Sequence, residues 1–426
     1  MKINLSLIPK KAIVAVALSG GRDSMALLHR LVEENINVKA ICVEHGIRGE
    51  VSKEEAKGVK SYCDKIGVEC RTYEVDAIKY SKEKKLTVEQ SARELRYSCF
   101  ENALEEGFCD LVATAHHADD NAETVIIRLI RGTGIKGLTG ISDRRDRYIR
   151  PLLETTREEI DEYVKENNIV YFEDETNACL DYTRNFVRHD ILERIKERFP
   201  SVVKSISRLS TLAKEDEEYF DKIVEDKIVD LGDAFGIKIE DLNITAVGER
   251  LIRRAFFNLG VTADVEERHI DLVKGLKDAE NGTSLDMPYD TVCTKEYDTI
   301  AIYKRREDID FEYTVSKSAT YQCGDRLVHV EEVDKRGREG LFVDLDKIEG
   351  ATIRKKREGD IFKRFGGGTK SLGDYLTDIK MPVRLRENLV VIAKDREVLV
   401  VVGVEISDKV KVDESTVRIG KIGEDR

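Results

Sequence analysis

The sequence predicts an α/β fold for its first part, then a helix-rich middle part and a small β-rich part at the C-terminal end. Short apolar runs of strand length alternate with helical patterns up to about residue 153, as in a parallel sheet with crossover helices. Polar and glycine-rich strings follow several of these runs directly. Beyond residue 201 the apolar spacing becomes helical and later alternates, which predicts helices and then strands.

The strands of the parallel sheet are predicted from five apolar runs, which are 12–18, 38–43, 69–75, 111–115 and 148–153. Ligands of such sheets bind outside the carboxyl ends of the strands. The polar residues that follow these runs should therefore converge on one crevice.

The rest of the chain predicts a connecting helix at 201–231, with an end near Gly232. Two helices, a group of short strands and a last helix are then expected at 250–259, 264–278, 283–304 and 371–378. We therefore predict three domains, which are 1–212, 213–308 and 309–426.

Composition excludes several classes of protein. The chain has 426 residues and a net charge of −12, so contact with nucleic acid would depend on local basic patches. We expect no membrane span, because no apolar run reaches about 18 residues, and no signal peptide, because Met1 leads almost directly into the first strand. Eight cysteines without a C-x-x-C pair favour a reducing, cytoplasmic location. The sequence leaves the oligomeric state open, a homodimer included.

The string between the first predicted strand and the following helix is the most informative motif, and its residues are Ser19, Gly20, Gly21, Arg22, Asp23 and Ser24. A strand, a glycine-rich turn and a helix N-terminus collect backbone N–H groups around an anion. The two serine hydroxyls add donors, while Asp23 indicates Mg²⁺ or a cationic group nearby. The string lacks G-K-[ST], so it is not a Walker A loop.

A second polar group follows the fourth predicted strand, and it contains His116, His117, Asp119, Asp120 and Glu123. Helix capping and the macrodipole could account for either aspartate alone, but so dense a group indicates binding chemistry. Asp120 and Glu123 share a helix face, where they could hold an ammonium group or a metal ion. Zinc is disfavoured, because no third soft ligand is near.

Two pairs of arginines occur at helical spacing. Arg93 and Arg96 lie three residues apart, and Arg184 and Arg188 lie four apart; guanidinium groups suit phosphate or carboxylate recognition. The G-x-G-x-x-G string that begins at Gly132 follows a helix rather than a strand. We therefore interpret Gly132 as the end of that helix and not as part of a dinucleotide site.

Together the motifs resemble the tRNA(Ile)-lysidine synthetase family of the PP-loop, or adenine nucleotide α-hydrolase-like, superfamily. The matching strings span almost the whole chain, and they are 19–24, 44–48, 92–97, 116–124, 131–140, 150–153, 174–177, 184–188, 359–360, 370–375 and 380–382. The resemblance implies an N-terminal parallel-sheet PP-loop domain, a helix-rich middle domain and a small β-rich C-terminal domain.

The resemblance also implies an activity. The family uses ATP and Mg²⁺ to attach free L-lysine to the wobble cytidine of the isoleucine tRNA that carries a CAU anticodon. The cytosine C2 oxygen would be adenylated with loss of pyrophosphate, and the lysine side-chain amine would then displace AMP.

Individual roles follow from the same resemblance. The residues implied for ATP are Ser19, Gly20, Gly21, Arg22, Asp23, Ser24 and His45. Those implied for catalysis are Asp23, Arg96 and Arg188, with Asp23 acting as a base or as a Mg²⁺ ligand. Asp120 and Glu123 would hold the lysine α-amino group. The basic residues expected to contact tRNA are Arg354, Lys355, Lys356, Arg357 and Lys370.

Other functions leave part of the sequence unexplained. A tRNA thiolase of the same superfamily typically needs paired cysteines, and the spacings from Cys63 to Cys70 and from Cys99 to Cys109 give no C-x-x-C. An amidotransferase-type pyrophosphatase would need a source of ammonia. A non-catalytic RNA-binding module would leave the loop and the acidic helix without a role.

Overall fold

The computed structural model describes residues 1–47, 49–172, 182–262, 265–316 and 318–425. The chain divides into two compact units, Met1–Tyr219 and Phe220–Arg426. The division into three domains at residues 212 and 308 stays a prediction.

The first unit alternates strands and helices. Its strands are β1 Val14–Ala17, β2 Val38–Glu44, β3 Cys70–Glu74, β4 Leu111–Ala113, β5 Arg144–Arg145 and β6 Tyr148–Ile149. Its helices are α1 Arg22–Glu33, α2 Glu50–Lys65, α3 Ala77–Lys84, α4 Val88–Glu105, α5 Ala118–Ile130, α6 Ile135–Leu138, α7 Arg157–Glu166, α8 Tyr182–Phe186, α9 Glu193–Arg198 and α10 Val202–Lys227, the last of which continues into the second unit. A π-helical stretch, Val187–Leu192, joins α8 to α9.

These strands form one sheet in the order β3-β2-β1-β4-β6-β5. The parallel pairing predicted from the five apolar runs is confirmed for β1, β2, β3, β4 and β6. The short β5 pairs antiparallel with β6 and was not predicted. Since the chain leaves β1 toward β2 and returns to its other side at β4, the strand order reverses there, and the ends of β1 and β4 face a shared crevice.

The central strands β1 and β4 are buried on both faces of the sheet, which is why they are apolar without alternation. Val14 and Val16 of β1 point into a core shared with α1, α2 and α7. Ala15, the residue between them, points to the other side, where it packs against Phe100 and Leu104 of α4. A capping box of Thr87 and Gln90 starts α4 and thereby fixes where this long helix crosses the sheet.

The second unit combines short helices with three antiparallel or mixed sheets. Its strands are β7 Val229–Asp230, β8 Phe235–Lys238, β9 Ser284–Met287, β10 Thr291–Glu296, β11 Thr299–Lys304, β12 Glu312–Thr314, β13 Ala319–Cys323, β14 Arg326–Val333, β15 Leu341–Asp344, β16 Thr352–Lys355, β17 Ile361–Lys363, β18 Thr369–Ser371, β19 Val390–Lys394, β20 Glu397–Val401, β21 Glu405–Ile406 and β22 Ile419–Asp425. Its helices are α11 Ile239–Leu242, α12 Thr245–Asn258, α13 Glu267–Gly275, α14 Leu345–Ile348, α15 Leu372–Asp378 and α16 Val383–Arg386.

The three sheets have the strand orders β7-β8-β11-β10-β9, β12-β16-β19-β20-β17-β18 with β21 beside β20, and β13-β14-β22-β15. The β-rich end of the chain is therefore confirmed. The predicted helix at 201–231 is wrong in its last turn: α10 ends at Lys227 because the backbone from Val229 pairs with β8 instead. Gly132 has a φ of +78° just after α5, which confirms its predicted place beyond the helix end.

In the described part of the chain, the helices are too short or too polar to cross a membrane.

Candidate active site

The turn between β1 and α1 is built around Gly20. This residue has a φ of +83°, and a Cβ at its position would lie 2.9 Å from Val59 Cγ2 and 3.1 Å from Phe172 Cδ2. Phe172 also donates its backbone N–H to the Gly20 carbonyl at 3.0 Å. Both the backbone conformation and the lack of space therefore require glycine here.

Polar groups surround this turn. Gly21 is the N-cap of α1 and makes no side-chain cap, so the first N–H groups of the helix have no intrahelical acceptor. The hydroxyls of Ser19 and Ser24 lie 3.2 Å apart, and Ser24 Oγ donates to the Gly21 carbonyl at 2.9 Å. N–H groups, hydroxyls and the positive end of α1 thus form a binding turn for an anion.

The side chains of Arg22 and Asp23 take different directions. The Arg22 guanidinium pairs with Asp161 of α7 and lies 3.3 Å from Asp23 Oδ1. Asp161 therefore holds the Arg22 side chain, and what Arg22 offers the turn is its backbone N–H. The Asp23 side chain is 31% exposed, and its Oδ2 lies 3.7 Å from His117 Nε2, so Asp23 faces the residues that follow β4.

His117 is the point where the two predicted polar groups meet. Its side chain is 2% exposed and has carboxylates on both sides: Asp119 lies 3.7 Å from Nδ1, and Asp120 and Asp23 lie 3.5 Å and 3.7 Å from Nε2. Burial alone would lower the pKa of His117, but the three carboxylates outweigh it and raise that pKa. The loop after β1 and the loop after β4 thus form one crevice, as the strand order requires.

Asp119 is anchored by a residue that the sequence did not reveal. Lys196 of α9 donates to Asp119 Oδ1 at 2.7 Å, and the backbone N–H of Arg157 donates to Oδ2 at 2.9 Å. Burial opposes the charge of Asp119, but these donors and His117 lower the pKa of its carboxyl group. No local pattern marks Lys196, since it lies 77 residues from its partner.

The predicted pair of carboxylates, Asp120 and Glu123, lies on the first turns of α5 and faces two guanidinium groups. Arg184 Nε donates to Glu123 at 2.7 Å and its Nη2 to Asp120 at 3.0 Å. Arg188 Nε donates to Glu123 at 2.5 Å and its Nη2 to Asp120 at 3.3 Å. The Glu123 side chain is only 1% exposed. A buried pair of carboxylates is a site for a cation, and the chain itself supplies two cations to it.

His45 and Arg96 lie together beyond the end of β2. Arg96 Nε and Nη2 are both 3.4 Å from His45 Nε2. Burial, and next the Arg96 charge, lower the pKa of His45 to about 4, so His45 is neutral at physiological pH. The structure therefore brings the predicted residue Arg96 against the predicted residue His45.

Among the described residues, no three His, Cys, Asp or Glu side chains are placed so that they could hold a metal ion by themselves. The predicted Asp23 thus stands as a single carboxylate beside the anion-binding turn. Arg48, Asp174 and Asn177, which belong to the strings of the resemblance, lie outside the described residues.

The basic residues predicted to contact tRNA differ in their surroundings. Arg354 is 2% exposed and donates to both oxygens of Asp360 at 2.8 and 2.9 Å. Its guanidinium group is thus used inside the fold, and the expectation that it binds RNA does not fit its position. The remaining predicted residues have at least part of their side chain at the surface, and they are Lys355, Lys356, Arg357 and Lys370.

Three of these surface residues also have carboxylate partners. Lys355 pairs with Asp308, Arg357 with Glu312 at 2.6 Å, and Lys370 with Asp378. Surface pairs of this kind contribute little and exchange readily. They leave the cations available to a stronger anion.

Comparison with known proteins agrees with the geometry of the crevice. Residues 2–195 match the family model described as a PP-loop domain. This class of domain accounts for the anion-binding turn after β1 and the parallel sheet behind it.

The similarity to individual proteins extends much further along the chain. The chain is 32% identical to tRNA(Ile)-lysidine synthase of Clostridium acetobutylicum, over 98% of this chain and 96% of that protein. It is also 32% identical to tRNA(Ile)-lysidine synthase of Bacillus subtilis, over 91% and 88% of the two chains. A solved structure of a U34-tRNA thiolase from Methanococcus maripaludis is 22% identical and covers 50% of this chain and 75% of its own, with a TM-score of 0.42. The chain belongs to the tRNA(Ile)-lysidine synthase family.

Proposed function

We propose that this chain is a ligase that uses ATP to attach L-lysine to C2 of the wobble cytidine in tRNA(Ile) with a CAU anticodon. The observation that carries the proposal is the position of His117. Its Nε2 lies 3.7 Å from Asp23 of the anion-binding turn and 3.5 Å from Asp120 of the carboxylate pair. A nucleotide phosphate and an amino acid bound at these two places would share one crevice.

The turn at residues 19–24 would hold the phosphates of ATP through backbone N–H groups and hydroxyls. Mg²⁺ usually binds one or two carboxylates together with substrate phosphates, and the partly exposed Asp23 beside the turn fits that pattern. The ion, when bound, would neutralise phosphate charge. His45, which is neutral, and Arg96 would border the nucleotide on the side of β2.

The lysine substrate would bind with its α-amino group at Asp120 and Glu123. In the protein alone these carboxylates are bound by Arg184 and Arg188. An entering ammonium group would therefore replace at least one guanidinium contact. The guanidinium that is released would be free to bind a carboxylate or phosphate, which suits the proposed catalytic role of Arg188.

The proposed reaction has two steps. In the first, the cytosine C2 oxygen attacks the α-phosphorus of ATP, and pyrophosphate leaves. In the second, the side-chain amine of lysine attacks C2, the bond from C2 to the adenylated oxygen breaks, and AMP leaves. The amine is mostly protonated at neutral pH, so a base must accept its proton. Asp23 would serve as that base or as the Mg²⁺ ligand, and a pH–rate profile distinguishes the two roles.

The modification changes what the tRNA reads. Lysidine would pair with A instead of G, so the codon would change from AUG to AUA and the amino-acid identity from Met to Ile. Lys355, Lys356, Arg357 and Lys370 would contribute phosphate contacts to the tRNA, whose binding should weaken with salt. A reaction on tRNA that uses ATP belongs in the cytoplasm, and the location we propose is cytoplasmic.

The experiment that tests the function follows labelled L-lysine and AMP. The full chain is incubated with ATP, Mg²⁺, labelled lysine and a CAU-anticodon tRNA(Ile) transcript, and each component is omitted in turn. We expect label in the RNA only in the complete mixture and one AMP per lysine incorporated. The matched control is a transcript with uridine at the wobble position, which should accept no lysine. AMP release without label in the RNA would contradict the proposal.

A further inference from the structure

Four arginines lie together on the α4 side of the crevice and have no part in the site described above, except for Arg96. Arg93 and Arg96 are on α4, Arg145 is in β5, and Arg150 follows β6. Tyr97 connects the two groups: the Arg93 guanidinium lies 5.1 Å from its ring, and the Tyr97 ring is 5.3 Å from that of Tyr148 in β6. We call Arg93, Arg96, Arg145 and Arg150 the arginine cluster.

Carboxylates are missing from this cluster. None of the four arginines forms an ion pair with a carboxylate in the described part of the chain. By contrast, Arg147, which lies between β5 and β6 in the same hairpin as Arg145, pairs with Glu101 at 3.4 Å. Partial desolvation by the surrounding protein atoms, and next the charge of the neighbouring Arg93, lower the pKa of Arg96, although its side chain still reaches solvent. Burial also lowers the pKa of Arg150, and the charges of Arg145 and Arg93 add to that effect.

Like charges held close together destabilise a protein unless an anion compensates them. The chain has 83 acidic residues against 71 basic ones, so a carboxylate partner would be easy to supply. Three of the four side chains are exposed, and Arg150 is half-buried, with its Nη1 donating to the Ser142 carbonyl at 2.6 Å. The cluster is therefore open to an anion that comes from outside the chain.

The extent of the cluster indicates what kind of anion this is. Arg96 lies beside His45 at the end of β2, and Arg150 lies at the end of β6, with β1 and β4 between them. The ends of these two strands are three strand spacings, or about 14 Å, apart, so the surface beside which the four arginines lie is wider than a single phosphate group. In the proposed function, the triphosphate of ATP is bound by the turn after β1 and does not need this cluster. A chain of successive phosphates fits the cluster better.

We propose that the arginine cluster binds phosphodiester groups of the RNA backbone next to the nucleotide that reacts, with Arg96 at the boundary between the ATP site and this surface. This inference rests on the proposed function and adds a backbone-binding site to the catalytic unit. Phosphate contacts carry no sequence information but fix the register of the RNA. The cluster would hold the wobble nucleotide at the end of the crevice where the anion-binding turn and the carboxylate pair meet.

The test measures binding of an anticodon stem-loop RNA to the full chain over a range of salt concentrations. The variant carries R93Q and R145Q, because both side chains are exposed and their loss should not disturb folding. Arg147→Gln is the control for the change in the β5–β6 hairpin, since, like Arg145→Gln, it removes one positive charge there, but from a residue paired with Glu101. Binding of an ATP analogue is measured on all three proteins.

We expect the double variant to bind the RNA about 10-fold more weakly at 0.15 M salt, with a log–log salt slope less steep by about 1.4, or 0.7 for each lost contact. The RNA affinity of Arg147→Gln should match that of the wild type. The affinity for the ATP analogue should be the same in all three proteins. An unchanged RNA affinity and slope would overturn the inference, and so would a loss confined to the nucleotide. If the wild type forms lysidine while the double variant binds RNA normally, only this inference fails; if the wild type forms none, the proposed function itself fails.

Discussion

Replacing Glu123 by glutamine tests the proposed lysine site most sharply. The Glu123 side chain is 1% exposed and receives N–H groups from Arg184 at 2.7 Å and from Arg188 at 2.5 and 3.2 Å. Glutamine keeps the size of the side chain and removes its charge. A charge-assisted hydrogen bond contributes roughly 1.5–3 kcal/mol, which corresponds to about 10- to 140-fold in affinity.

The expected effect lies near the lower limit of that range. Lysine must replace guanidinium contacts that Glu123 already makes. The affinity for lysine therefore reflects only the difference in free energy between the ammonium contact that forms and the guanidinium contact that is lost. We therefore expect the KM for lysine to rise about 10-fold. The α-amino group is remote from the reacting atoms and is held equally in the ground state and the transition state. Asp120, which accepts from Arg188 Nη2 at 3.3 Å, would still hold that arginine, so the kcat should stay within about 2-fold, as should the KM for ATP.

The assay is steady-state lysine transfer at varied lysine with saturating ATP and tRNA. Glu33→Gln is the matched control, because Glu33 also accepts from an arginine, Arg30 at 3.0 Å, but lies at the opposite end of α1 from the anion-binding turn. Thermal unfolding of both variants identifies any loss of folded protein. A folded Glu123→Gln enzyme with an unchanged KM for lysine, or with an equal rise in the KM for ATP, would refute the assignment.

Three further outcomes are expected. Gly20→Ala should lower the free energy of unfolding more than Gly107→Ala does, because both residues have positive φ but only Gly20 has atoms near the new Cβ. We expect chemical denaturation to show a difference of about 1–3 kcal/mol between the two variants. Equal losses would contradict this reasoning. Asp360→Asn should lower the free energy of unfolding by about 3–5 kcal/mol, because it leaves the charge of the buried Arg354 unpaired. The double variant R354M/D360L, which removes both charges, should recover most of that loss in chemical denaturation. If it does not, the unpaired charge is not the cause of the loss. Burial mainly lowers the pKa of His116 to about 4, so the unfolded chain binds more protons between pH 4 and about 6.5. The free energy of unfolding should therefore fall as the pH drops through that window, by up to about 1.4 kcal/mol per pH unit, and His116→Asn should remove this part; the same slope in the variant would show that other groups cause it.

The parallel sheet and the anion-binding turn could be predicted because their signals are local. Buried strands read as continuous apolar runs, and the turn at residues 19–24 follows one of them directly. The crevice followed from topology alone, since the ends of neighbouring parallel strands must meet. For the same reason Asp23 and Asp120 could be expected close together before any distance was known.

The parts that could not be predicted depend on contacts between distant segments. Arg184 and Glu123 are 61 residues apart, and their pairing is set by how α8 packs on α5. The four basic residues that begin at Arg354 resembled an exposed charged run. The strand β16 instead places Arg354 in the interior, where Asp360 compensates its charge, and no spacing in the sequence distinguishes that arginine from its neighbours.

The measurement that tests the central claim most directly follows the C2 oxygen of the wobble cytidine. A CAU-anticodon tRNA(Ile) is prepared with ¹⁸O at that single position and incubated with the full chain, ATP and L-lysine, and the AMP and the modified nucleoside are analysed by mass spectrometry. Adenylation of the C2 oxygen followed by attack of the amine predicts lysine on the cytidine and ¹⁸O in the phosphate of AMP. AMP without ¹⁸O, or ¹⁸O retained in the modified nucleoside, would contradict the account.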